Sequence, residues 1–235
     1  MTTFLATKNT FLPTASRGAR RWLALSALAL TFTLAPTDAD ALSPKKRAKL
    51  ESGEVVSWTR MIKGRPVPQG NAMALVDADI KTVWSLLEDC SQYSKTMDRV
   101  KHSKLTRKWK AGGKEHFLCE VEIGLPFPLS NLTVRSESVH TVKPGTYYER
   151  AWKLDPSKGP DDNDDLKYSE GFWKLEPYDH GGRIKTLVRY RTHSEPNSSV
   201  PTWVLKKAQR SALPNVVANL RTHAEKRAKR AKRAP

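Results

Sequence analysis

The chain has 235 residues and a formal net charge of +17, a size that fits one domain or one domain with tails. Residues 221–235 hold seven of the cations and one acidic residue, Glu225, so much of the excess lies in a tail. Nucleic acid is therefore not an expected partner, whereas the basic tail, residues 226–235, is a candidate contact for an anionic membrane surface. The cysteines form no Cys-x-x-Cys motif and the histidines lack metal-ligand spacing, so we expect no metal and no cofactor.

Residues 1–41 have the pattern of a secretory signal peptide. A region without acidic residues ends in Arg20-Arg21, and an apolar run over residues 22–35 follows, too short to span a bilayer comfortably. Ala39-Asp40-Ala41 then supplies a small-x-small cleavage site. We therefore expect export to the periplasm or the cell exterior, with a mature chain from Leu42. An uncleaved anchor, or a transit peptide leading to an organelle lumen, is the alternative.

The next stretch, residues 42–53, is polar and basic and predicts a linker to a domain over residues 54–225. Val55–Ile62 predicts a first strand, and Asn71–Val76 continues as strand. Two short helices are expected next. Asp77 or Asp79 is placed to cap the first, whose buried face holds Ile80, Val83, Trp84 and Leu87. The second is expected over Ser91–Met97.

Cys90 and Cys119 have two interpretations. An oxidising compartment permits a disulfide between them, which would stabilise the fold by about 3–4 kcal/mol. Cys119 also alternates with apolar residues, which fits a buried thiol equally well. The sequence leaves both open.

From Val100 onward the hydrophobic period falls to two, which predicts an antiparallel meander with one wet and one dry face. The clearest strands are His116–Ile123, Leu132–Val142, Tyr147–Leu154, Ser169–Leu175 and Arg183–Arg191. The acidic run Asp161–Asp165 lacks the glycine and glutamate of an EF-hand and predicts a solvated loop.

The last predicted element is a long helix over Ser199–Lys229. Its apolar residues recur at helical spacing along one stripe, before and after Pro214. Because proline removes a backbone donor, we expect a bend there. Strand, two helices, several strands and a long helix make an α+β protein with its helices on one side of the sheet.

This order, with a series of local strings, resembles the START-like helix-grip superfamily, also called SRPBCC, which includes polyketide cyclase/dehydrase, coenzyme Q-binding and lipid-transfer proteins. The strings are Gly70-Asn71-Ala72, Val76-Asp77-Ala78, Val83-Trp84, Asp89, Tyr93, Met97, Val100, Leu125–Asn131, Gly171-x-Trp173-x-Leu175, Thr186-x-Val188-x-Tyr190 and Val200-Pro201-x-Trp203. Many relatives carry Arg-Asp where this chain has Leu132-Thr133, so a role resting on that arginine is not expected here.

The resemblance implies a curved antiparallel sheet wrapped around the C-terminal helix, two short helices after the first strand, and an apolar cavity between sheet and helix. The cavity would bind a hydrophobic small molecule such as a lipid, quinone or polyketide. The residues expected to bind it are Phe117, Val121, Val134, Ser136, Arg150, Trp152, Trp173, Thr186, Val188, Tyr190, Trp203 and Val217.

Arg150 is the most informative of these residues, because an unpaired buried charge is very costly. A carboxylate, the carbonyls of the C-terminal helix, or an anionic or carbonyl ligand headgroup would satisfy it. The sequence therefore predicts an exported carrier. Alternatives are a cyclase or hydrolase using Tyr190, Arg150 or a histidine as acid–base, and a membrane- or nucleic-acid-binding module acting through the basic tail.

Overall fold

A computed structural model describes residues 42–125, 130–155, 157, 165–197 and 202–233, with side chains from residue 212 onward in the last range. In chain order the elements are α1 (Pro44–Glu51), β1 (Val56–Arg60), β2 (Gln69–Val76), α2 (Ile80–Trp84), a 3₁₀ helix (Cys90–Gln92), α3 (Tyr93–Thr96), β3 (Val100–Ala111), β4 (Lys114–Ile123), β5 (Leu132–Lys143), β6 (Tyr147–Leu154), β7 (Leu166–His180), β8 (Arg183–Pro196) and α4 (Thr202–Ala231).

The strands of this part of the chain form one eight-stranded antiparallel sheet in the order β1-β2-β8-β7-β6-β5-β4-β3. The predicted meander is confirmed, since β3 to β8 are sequential neighbours. The short helices, however, follow β2 and not the first strand. The segment at residues 61–68 turns the chain back, so that β1 and β2 pair as a hairpin before α2 begins.

Asp79 caps α2, as one of the two sequence alternatives proposed. Its carboxylate accepts a hydrogen bond from the Thr82 backbone N–H at 2.9 Å. Val83, Trp84 and Leu87 are buried, and Ile80 packs against the same core. The second predicted helix is divided between the 3₁₀ helix and α3.

Helix α4 covers one face of the sheet, called here the inner face, and lies mainly over β2. Its buried stripe holds Leu213, Val217, Leu220 and Ala224, which meet small side chains of β2. Gly70 permits this approach, because a Cβ there would lie 2.7 Å from Leu213. The helix continues through Pro214 as a single element of 30 residues. The part of the stripe before residue 212 lies outside the described side chains.

The opposite, outer face of the sheet is partly covered by a helix, whereas the sequence predicts a face exposed to water. Residues 44–51, expected to be linker, form helix α1, and Ser43 caps its N-terminus. Leu50 of α1 is fully buried against Met73, Leu75 and Leu187. Both faces of β2 are therefore covered, which explains why every residue of that strand is buried.

The basic tail begins inside α4, which ends at Ala231. Arg227 donates a hydrogen bond to the Ser85 hydroxyl at 2.8 Å, so this part of the tail contacts the domain. The predicted signal peptide, residues 1–41, and most of the acidic loop at Asp161–Asp165 lie outside the described residues. None of the described helices is both long and apolar enough to cross a membrane.

Candidate functional site: a cavity on the inner face

A cavity of about 290 Å³ lies between the inner face of β4–β8, the segment after α3, and α4. Its walls are mostly apolar, with a few hydroxyl groups and one buried cation, which is the usual character of a small-molecule site. The described residues that line it are Tyr93, Met97, Asp98, Arg99, Val100, Cys119, Val121, Ile123, Val134, Ser136, Ser138, Arg150, Trp152, Leu166, Ser169, Trp173, Tyr190, Thr192, Ser194, Ala212 and Val216.

Seven of the predicted ligand-binding residues lie on this wall: Val121, Val134, Ser136, Arg150, Trp152, Trp173 and Tyr190. Their ligand-binding role stays a prediction, but the alternation of the strands brings them together as expected.

Four other predicted residues lie elsewhere. Phe117 stacks on His140 with ring centroids 4.0 Å apart, and Thr186 donates to the carbonyl of Ala78 at 2.8 Å. Val188 and Val217 belong to the packed core under α4. Periodicity predicts that these side chains face the space between sheet and helix. It does not predict where along the sheet the helix packs closely. The side chain of Trp203 is not among those that the structure describes.

Aromatic rings form one side of the cavity. Tyr190 lies against Trp173, with centroids 4.2 Å apart, and stacks on Trp152 at 5.9 Å. Trp152 in turn covers Gly171, where a Cβ would lie 2.3 Å from its ring and equally close to the Arg191 carbonyl. Glycine at this position therefore lets the indole lie flat on the sheet.

Arg150 lies on the cavity wall and is only 3% exposed. Its guanidinium donates to the Leu87 carbonyl at 2.7 Å, the Ser138 hydroxyl at 3.0 Å and the Cys119 sulfur at 3.2 Å. It also lies over the Tyr93 ring, 5.1 Å from the centroid. The expected carboxylate or α4 carbonyl is thus not what satisfies it. The carbonyl comes from the turn after α2.

Burial is the main cause of the pKa shifts of the titratable groups around Arg150. It raises the pKa of Tyr93, and it raises the pKa of Tyr190 to about 12. Burial, assisted by the positive charge of Arg150, lowers the pKa of His140 to about 3. Both phenols are therefore protonated at neutral pH, and His140 is uncharged.

Cys90 and Cys119 form a disulfide, which decides the alternative that the sequence left open. It joins the 3₁₀ helix to β4 at Cys119, which is one of the residues that line the cavity. The disulfide, Phe117, Tyr93 and Leu105 pack together beside the cavity.

Fourteen of the 21 described lining residues were not predicted, and two groups among them show why. Ser169, Thr192 and Ser194 continue the alternation of β7 and β8 beyond the apolar positions, so strand period alone would have found them. Tyr93, Met97, Asp98 and Arg99 come from the segment around the end of α3, for which periodicity gives no direction. The loop Pro126–Pro128, near which the sequence predicts ligand entry, lies outside the described residues.

The family model for polyketide cyclase / dehydrase and lipid transport matches residues 76–221, which include the strands and helices around the cavity. The chain belongs to this family. The resemblance read from the sequence strings is thereby confirmed.

The chain is also similar in sequence to one relative and in fold to solved structures. An uncharacterized protein of Pseudomonas aeruginosa is 27% identical over 187 residues, covering 77% of this chain and 87% of the relative. A STAR-related lipid transfer protein of Xanthomonas axonopodis has a TM-score of 0.60 at 17% identity, covering 72% of this chain and 93% of the other. Human StAR-related lipid transfer protein 5 also reaches 0.60, at 13% identity, with coverages of 76% and 84%. The fold of this chain is therefore that of the START-type, helix-grip proteins.

Proposed function

We propose that this protein binds a hydrophobic small molecule in the inner-face cavity and carries it outside the cytoplasm. The observation that carries this proposal is the cavity itself, whose aromatic and aliphatic wall borders a space of about 290 Å³. Such a volume lies near the lower end for small-molecule sites, which favours a compact ligand or a single hydrocarbon chain. The family match and the START-type neighbours, named for lipid transfer, support the same assignment.

The export part of the proposal rests on two observations. Residues 1–41 have the signal-peptide pattern, and the disulfide between Cys90 and Cys119 is typical of oxidising compartments. Mass spectrometry of the protein from its own cells tests both, since we expect a mature chain from Leu42 that is two hydrogens lighter than its reduced form. A chain that retains Met1 and carries two free thiols would contradict export.

Native mass spectrometry followed by organic extraction tests binding directly. We expect a discrete excess mass that solvent releases as an apolar compound. Fluorescence titration with aminoanthracene, a neutral apolar probe, provides a second measurement that needs no knowledge of the natural ligand.

A matched pair of variants on β5 locates the binding site. Ser136 lines the cavity, whereas Thr141 lies on the outer face of the same strand. Ser136→Trp should fill the cavity and abolish aminoanthracene binding, while Thr141→Trp should leave it within about twofold. Equal binding by both folded variants would place the site elsewhere.

Catalysis by a cyclase or hydrolase is the second candidate, favoured by the family's description. Tyr190 has a pKa of about 12, which makes its hydroxyl a poor base near neutral pH, and Arg150 is held by three hydrogen bonds. The geometry therefore favours binding. Turnover of an aromatic polyketide or ester that disappears in Tyr190→Phe would reverse this preference.

A further inference from the structure

We propose that the cavity selects an amphipathic carboxylic acid, whose carboxylate pairs with Arg150 and whose tail lies along the apolar wall. This inference rests on the proposed function, because it specifies the ligand class of the same cavity. Its premise is that Arg150 is a buried cation without a counter-ion in the described structure.

The partners of Arg150 are dipoles and not charges. They are a backbone carbonyl, a hydroxyl, a disulfide sulfur and the face of the Tyr93 ring. Among the residues that the structure describes, no Asp or Glu forms an ion pair with this guanidinium, and the nearby His140 is neutral. Burying a guanidinium with dipoles alone leaves much of its desolvation cost uncompensated.

Glu195, another buried charged residue of the same sheet, has oppositely charged neighbours. Glu195 is also 3% exposed, but it lies on the outer face with cations around it. Arg65 is 3.5 Å from its carboxylate and Lys167 is 4.0 Å away. Opposite charge thus lies beside Glu195 within the fold, while the space beside Arg150 is the cavity.

The guanidinium has N–H groups left for a ligand. Arginine carries five, and its three hydrogen bonds to Leu87, Ser138 and Cys119 leave two. A carboxylate can accept hydrogen bonds from these N–H groups. Such charge-assisted hydrogen bonds are stronger than those between neutral groups. Val121, Val134 and Trp152 on the same wall provide apolar contact for a tail.

The remaining charged residues on the described wall do not compete for the anion. Asp98 and Arg99 pair with each other at 3.8 Å, and their side chains are 42% and 32% exposed. Arg150 is therefore the one buried charge on the described wall, which fits a ligand with a single negative charge.

Displacement of aminoanthracene from the wild-type protein, with its disulfide intact, tests the inference. Four probes share one chain length and differ only in the headgroup: decanoate, methyl decanoate, decanol and decylamine. We expect decanoate to bind at least about tenfold more tightly than the ester and the alcohol, and decylamine to bind most weakly.

The outcomes separate this inference from the proposed function. If the alcohol and ester bind as tightly as decanoate, the carboxylate inference is overturned and a hydrophobic binder remains. If aminoanthracene and all four probes fail to bind, the proposed function is overturned as well.

A matched pair of variants assigns the preference to one residue. Arg150→Gln should reduce the preference for decanoate over decanol to about twofold or less, while Arg107→Gln, at an exposed arginine of β3 outside the described cavity wall, should retain it. A folded Arg150→Gln that still prefers decanoate would overturn the role of Arg150. If Arg150→Gln does not fold, the headgroup series on the wild type still decides whether the cavity selects an acid.

Discussion

The inner face of the sheet has two regions. In one, the inward-facing side chains pack against α4, and in the other they line a cavity. In the packed half, β2 presents Ala72 and Ala74 to Val217 and Leu220 of α4, and nothing separates strand from helix. In the hollow half, over β4–β6 and the adjoining ends of β7 and β8, inward side chains line the cavity.

The difference shows that facing inward is not the same as being packed. Small side chains on β2 let the helix approach closely. The hollow half carries large rings such as Trp152 beside small residues such as Ser136 and Ser169, and this mixture leaves space beneath α4. We therefore expect the packed half to determine stability and the hollow half to determine ligand selection.

The largest expected effect tests this division directly. Leu220→Ala removes a fully buried side chain from the packed half and should lower the free energy of unfolding by about 2–5 kcal/mol. Val134→Ala, on the cavity wall, should cost less than about 1 kcal/mol because its methyl groups already border a space. Urea unfolding measures both. Similar losses in the two variants would erase the distinction between the halves.

The next effect sharpens the comparison, because the disulfide supports the hollow half. Cys90 and Cys119 are 29 residues apart, and reduction should lower the free energy of unfolding by about 3–4 kcal/mol in the chain-entropy model. Unfolding with and without reductant measures it. The Cys90→Ala/Cys119→Ala double variant is the control and should not respond to reductant. A loss below about 1 kcal/mol in the wild type would show that packing alone holds this wall.

The smallest effect concerns His140, at the border between the two halves. It is 9% exposed, stacks on Phe117, and contacts the edge of Trp84. Its folded pKa of about 3 lies below the ordinary 6.5, so in that interval the unfolded chain binds a proton that the folded protein does not. Stability from this residue is complete above pH 6.5 and falls by about 1.4 kcal/mol per pH unit below it.

Unfolding at pH 7, 6 and 5 measures this slope. His140→Phe is the control and should flatten it, because the ring stays and the titration is removed. It should also cost little at pH 7, since Nε2 of His140 has no hydrogen-bond partner in the described structure. An unchanged slope would assign the acid sensitivity to other groups.

Much of the fold could be predicted because it depends on local periodicity. Alternation of period two located the strands from β4 to β8, and helical spacing located α4. Residue type and position limit the cap of α2 to Asp77 or Asp79, and the structure shows that it is Asp79. Local patterns did not predict packing between elements that are far apart in the sequence. The polar composition of residues 44–51 predicts a linker, because only the contact of Leu50 with Met73 shows that α1 packs on the sheet.

The candidate site was predictable in part for the same reason. The sequence by itself determined the meander, the long helix and the inward direction of Val134, Arg150 and Trp173, because side-chain direction in a strand is fixed by its period. Only the tertiary structure decided that Val188 is packed while Tyr190 lines a cavity, that Cys90 bonds to Cys119, and that the Leu87 carbonyl accepts a hydrogen bond from Arg150. These depend on where α2 and α4 lie over the sheet, and that placement is set by contacts between residues far apart in the chain.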